Sequence, residues 1–74
     1  MTPAWTQWRS RANLTQEALA EIVLVDRATL SHIENGRRRP SLELVQRLSR
    51  ALNLSVEERL IATGLSDNAQ AIAA

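Results

Sequence analysis

At 74 residues the chain has room for one domain, and a domain this small buries only about 60% of the surface it exposes when unfolded. The absence of cysteine and the presence of a single histidine, His32, exclude disulfide staples and Cys/His zinc sites, so stability must come from apolar packing, helped by self-association. All nine cations are arginine: eight stand against five acids from Met1 to Arg50, net +3, and one against three from Ala51 onward, net −2, a polarity that suits an anionic partner for the basic body.

The first segment, about residues 3–12, carries Trp5 and Trp8 at helical spacing. No other aromatic accompanies them, so packing rather than ligand stacking is their expected role. Asn13 marks a stop, and Thr15 is a good N-cap for a second helix to about residue 23, with Leu19 and Val23 on its inner face. The apolar run Ile22-Val23-Leu24-Val25 is far short of the ~20 residues needed to cross a bilayer, and no signal-peptide pattern opens the chain. A soluble cytoplasmic protein, not a membrane one, is therefore expected.

Asp26 is an N-cap type for a third helix, about residues 26–35, which Asn35-Gly36 ends. After "RRRP" Ser41 caps a fourth, about 41–52, with Leu44, Leu48 and Leu52 on one side and Asn53 as its stop. Ser55 to Glu58 fits the capping-box pattern for a fifth, about 55–63, stopped by Gly64. Five short helices without alternating strand patterns predict a compact all-α domain over residues 1–65. The small, polar tail 66–74 is expected to be flexible, with a dimer-stabilising extension as the other reading.

On the third helix, an advance of about 100° per residue puts Leu30 and Ile33 on one side, with Glu34 at its edge, and Ala28, Ser31 and His32 on the other, with Arg27 at its edge. A forked donor, a methyl, a hydroxyl and an imidazole are ordinary for a solvated face. They are also what base edges in a DNA major groove require. Ser31 and His32 are not a nucleophile and its base, because helix neighbours point about 100° apart and no third group orients the ring. No second soft ligand stands at helical spacing for a metal. Neither catalysis nor a cofactor is expected.

The stretches "LTQEALA" at 14–20, "ATLSHIENG" at 28–36 and "RRRPSLE" at 37–43 resemble the Xre/Cro/phage-repressor helix-turn-helix family, the similarity extending over about residues 5–60. The resemblance implies a lambda-repressor-like five-helix fold and a sequence-specific regulator of transcription, bound to double-stranded DNA. It implies that Gln16 contacts phosphate and can touch the first base pair, and that Arg27, Ala28, Ser31 and His32 fall on base-reading positions. It implies an interhelical ion pair between Arg9 and Glu34, which makes Glu34 structural. Asn35 and Gly36 end the recognition helix where the chain leaves the groove, so Asn35, Arg37, Arg38 and Arg39 are expected at the sugar-phosphate backbone, anchoring without reading sequence. A solvated turn is the plain alternative for the arginine run.

Two positions depart from the family. Leu24 stands where glycine is usual, so either a left-handed leucine costs about 1 kcal/mol or the turn takes another shape. Ile22 stands where polar residues are common, and with Leu24 it forms either a local packing adjustment or a partner surface. A single module covers one half-site, so a repressor acting as a homodimer on a palindromic operator is expected, in the cytoplasm on the nucleoid. Val56, Leu60, Ile61 and Leu65 are the candidate dimer surface, having more apolar area than one small core needs. The rivals are an antitoxin that represses its own operon and binds a toxin protein, and a protein-interaction module without DNA binding.

Overall fold

The computed structural model describes residues 4–64. They form α1 (Trp5–Arg11), α2 (Gln16–Val23), α3 (Arg27–Glu34), α4 (Leu42–Leu52) and α5 (Val56–Thr63), with no strand among them. The expected helices are all present; α2, α4 and α5 end where expected, and the other ends move by one or two residues, most at the start of α1. Ala4, at the N-cap of α1, has no side-chain acceptor to extend the helix backward. Residues 1–3, Leu65 and the tail 66–74 lie outside the described residues.

Local chemistry sets most of the ends. Thr15 Oγ1 accepts from the Ala18 amide at 3.0 Å and Ser41 Oγ from the Leu44 amide at 3.1 Å. The Ser55–Glu58 capping box closes in both directions, with the Ser55 amide donating to Glu58 at 2.9 Å and the Glu58 amide to Ser55 at 3.2 Å. Asp26 behaves differently from the cap expected of it. Its carboxylate accepts the Thr29 hydroxyl instead of a backbone amide. Asn13, Asn53 and Gly64 take left-handed φ angles of 59°, 53° and 77°, as stops of their type should.

One core serves all five helices. Trp5 and Trp8 meet edge to face with ring centroids 5.1 Å apart, and Leu19, Val23, Leu30, Ile33, Leu44, Leu48 and Leu52 are buried beside them. Ala20, Val45, Leu54 and Ala62 complete the cluster. An ion pair on the outer side joins the first helix to the last: Arg11 donates to both Glu58 oxygens at 2.8 and 3.0 Å. That bidentate contact, with the Ser55 amide, brings the Glu58 carboxyl down to about 2.

The junction between α2 and α3 is held by the Val25 amide, which donates to the Ala20 carbonyl at 3.0 Å, while the Val25 side chain packs on the core. This leaves Leu24 left-handed, at φ 63° and ψ 45°, with its side chain 77% exposed. Burial therefore does nothing to offset the strain. Leu24→Gly is expected to stabilise the fold by about 1 kcal/mol, raising the melting temperature by roughly 4–8 °C. Leu24→Ala keeps the strained backbone and should change little, which a pair of thermal melts would check.

Candidate nucleic-acid interface

The α2–α3 unit holds α3 across the domain with one flank inside and one outside. Leu30 and Ile33 are buried at 0% and 3% exposure, whereas Arg27, Ala28 and His32 are exposed and Ser31 is half-buried. The outward row therefore carries the four side-chain types noted above, on a helix that its inner residues prevent from rotating.

Behind that helix lies a polar cluster in an otherwise apolar interface. Arg9 Nε donates to Glu34 Oε2 at 2.8 Å and its Nη2 to Oε1 at 3.2 Å, with the Glu34 side chain only 2% exposed. Arg9 Nη1 also donates to the Leu14 carbonyl at 2.9 Å, and the Thr6 hydroxyl donates to Glu34 Oε1 at 3.0 Å. Burial pushes the Glu34 carboxyl up, but the bonds from Arg9, Gln16 and Thr6 and the Arg9 charge outweigh it and leave it below its ordinary value. One carboxylate thus ties the end of α3 to α1 and to the start of α2.

Gln16 belongs to this cluster. Its Nε2 donates to Glu34 Oε1 at 3.1 Å, so one amide proton is engaged, while a carboxamide retains a second proton and a carbonyl for another partner. Sequence spacing carried no sign of this tether, because the two residues come together only through the tertiary packing.

The arginine run leaves α3 along a fixed path. Gly36, at φ 76°, sends the chain back so that its amide bonds the Ile33 carbonyl at 3.2 Å. The Arg37 and Arg38 amides both donate to the His32 carbonyl, at 2.8 and 3.2 Å. Two of the three cations are in this way fastened by their backbones to a residue of the outward row, with exposed side chains; Asn35 is exposed beside them. Arg39 turns toward α5: a Cβ added to Gly64 would lie 2.7 Å from its Nη2.

Charge is unevenly used. Arg9, Arg11 and Arg47 are paired with Glu34, Glu58 and Glu43, whereas six arginines make no ion pair among the described residues, Arg50 and Arg59 singly on α4 and α5 and Arg27, Arg37, Arg38 and Arg39 together on α3 and the loop after it. The positive field is accordingly concentrated on α3 and the loop after it. Asp26 sits at the same end, its carboxyl held below the ordinary value by the Thr29 hydroxyl first, with Arg38 adding its charge. Arg47, which the sequence reading passed over, lines an open cleft of about 370 Å³ together with Arg38, Arg39, Ser41 and Thr29. No group of three or more His, Cys, Asp or Glu placed to hold a metal occurs among the described residues.

On α5 Val56 is 70% and Leu60 40% exposed, one turn apart, while Ile61 is half-buried against the core. Leu65 lies outside the described residues. Ile22, 55% exposed, and Leu24 form a second apolar area.

Known proteins give matches of one kind. The family described as helix-turn-helix matches residues 7–59. An uncharacterized HTH-type transcriptional regulator of Archaeoglobus fulgidus is 38% identical over 55 residues, 74% of this chain and 78% of that protein. Another, from Methanothermobacter thermautotrophicus, is 52% identical over 44 residues, 60% of this chain and 64% of its own length. The HTH-type transcriptional activator BcrR of Enterococcus faecalis is 37% identical over 54 residues, 73% of this chain but 26% of BcrR. No solved structure matches.

Proposed function

Because the chain belongs to the Xre/Cro-type helix-turn-helix family, whose members are DNA-binding transcriptional regulators and not enzymes, we propose that it is a repressor acting as a homodimer on a palindromic operator. Arg27, Ala28, Ser31 and His32 read base edges in the major groove. Gln16, Asn35, Arg37, Arg38 and Arg39 hold the sugar-phosphate backbone. The observation that carries this reading is the fastening of Arg37 and Arg38 to the His32 carbonyl, which sets an anchoring charge beside the outward row of α3 before any DNA arrives.

Repression requires only that an occupied duplex exclude other proteins, whereas activation needs a further contact. The relative named an activator, BcrR, has most of its length outside the matched region. The dimer rests on Val56 and Leu60, an exposed apolar pair that a second copy would cover. No helix among the described residues is long and apolar enough to cross a membrane, and the reading places the protein in the cytoplasm, on the nucleoid.

Selection of bound sites from random duplexes tests the proposal. Two inverted half-sites with centres about 34 Å apart are expected. A single half-site, with a monomer in sedimentation at tens of micromolar, would remove the dimer; no enriched sequence would remove operator reading. A second reading, an antitoxin, is favoured only by exposed Ile22 and Leu24. Co-purification with the product of a neighbouring gene, abolished by changing both residues, would support it.

A further inference from the structure

The open cleft beside α3 is lined by three arginines from separate parts of the chain. Arg38 and Arg39 come from the loop and Arg47 from the second turn of α4, with Ser41 and Thr29 also on the wall and Glu43 the one carboxylate. Arg38, which makes no ion pair among the described residues, Arg47 and the Ser41 hydroxyl give the cleft donors for an anion with several oxygens, while the Arg39 guanidinium lies beside Gly64 and the Thr29 hydroxyl is given to Asp26. Thr29 and Val25 place the cleft against the first turns of α3, the end that carries Arg27. A helix whose outward row enters the major groove has phosphates along both flanks, so a basic cleft on its flank stands at the radius of the DNA backbone.

We infer that this cleft seats a backbone phosphate of the bound duplex, with Arg47 as a further DNA-binding residue that Glu43 occupies while the protein is free. The inference rests on the DNA-binding reading above and deepens it. In the free protein Arg47 Nη2 meets Glu43 Oε1 at 2.6 Å, with the side chains 44% and 73% exposed. A single-point contact in water is weak, and a phosphate offering two oxygens to the guanidinium displaces it. Glu43 thereby lowers affinity for every duplex alike, leaving discrimination to the outward row of α3.

The test is binding of the full chain to a selected duplex and a scrambled one, by fluorescence anisotropy across a salt series. Arg47→Ala should weaken both by a similar factor and flatten the log–log salt slope by about 0.9. Glu43→Gln should tighten both by roughly twofold to fivefold, the equivalent of an exposed ion pair. That gain should vanish once Arg47 is also alanine. Should Arg47→Ala fail to fold, Arg47→Gln, which keeps the aliphatic stem, reads the same slope.

An unchanged slope and affinity in a folded Arg47 variant overturns the inference and leaves Glu43–Arg47 a helix-stabilising pair. So does a loss confined to the selected duplex. Inorganic phosphate supplies the remaining arm: saturable shifts of the Arg47 Nε–H resonance with no effect of Arg47→Ala on duplex binding would assign the cleft to a free anion. If the unaltered protein itself shows no salt-dependent affinity for duplex, the DNA-binding reading fails, and the two failures are thereby told apart.

Discussion

Arg9→Ala is expected to destabilise the domain by about 3 kcal/mol at pH 7, because it leaves the Glu34 carboxylate buried without its cation. Glu34 is 2% exposed, and of the donors that reach it Arg9 alone is charged and supplies two of the four bonds. Thr6 and Gln16 would remain, each a neutral donor to Oε1, and Oε2 would lose its partner outright. The Leu14 carbonyl would also lose its bond to Nη1, freeing the α1–α2 turn. Since native domains of this size hold only several kcal/mol in reserve, thermal melting should show a large fall. A change below 0.5 kcal/mol would mean that water already solvates the carboxylate.

The same variant has a pH signature. A carboxyl depressed in the folded state adds stability above its unfolded pKa, about 4.3, and that stability is lost as pH falls through the folded value. Without Arg9, burial becomes the dominant influence on Glu34 and pushes its carboxyl up, so that protonation favours the fold. The gap between the two proteins should therefore be widest near neutrality and narrow as pH falls through the variant's raised value and on through the depressed value of the unaltered protein. Denaturant titrations at pH 7 and pH 3.5 measure it, and a constant gap would show that Arg9 acts by packing instead of charge. Arg9→Met with Glu34→Leu should lose less than Arg9→Ala alone, because no charge is left buried.

What the chain discloses before it folds depends on how local the physics is. Thr15, Ser41 and Ser55 cap within three residues of themselves, so their helices could be placed from neighbouring letters. Asp26 looked alike on paper, but the bond its carboxylate makes is to the Thr29 hydroxyl one turn later, a side-chain partner that the N-cap pattern does not name. Leu24 is left-handed for a reason that lies outside itself, in the pull of Val25 on Ala20 and on the core. The division into a basic body and an acidic end was accurate as a count and incomplete as electrostatics. Glu58 reaches back 47 residues to neutralise Arg11, so part of each charged half is used up inside the fold. The Gln16–Glu34 tether and the cleft at Arg47 are likewise products of packing, with no spacing in the sequence to announce them.

Arg27→Ala should weaken binding to the selected operator by about 1–3 kcal/mol, which is roughly 5-fold to 150-fold, and leave scrambled duplex nearly unchanged. Arg27 is the first residue of α3, exposed and without an ion pair among the described residues, so the cost of its removal falls on what it touches in the complex and not on the fold. Arg38→Ala is the contrasting case. Its amide is fixed to the His32 carbonyl, which alanine preserves, and only the cation near the backbone disappears. Its loss should fall equally on both duplexes and reduce the salt slope by about one unit. The pair of measurements separates reading from anchoring because a base edge differs between the two duplexes and a phosphate does not. Arg27→Lys should recover the charge but little of the discrimination, since an ammonium cannot reproduce the fork that meets two acceptors of guanine. If Arg27→Ala and Arg38→Ala shift both duplexes by the same factor, α3 approaches the DNA by its charge alone and the outward row is not reading bases.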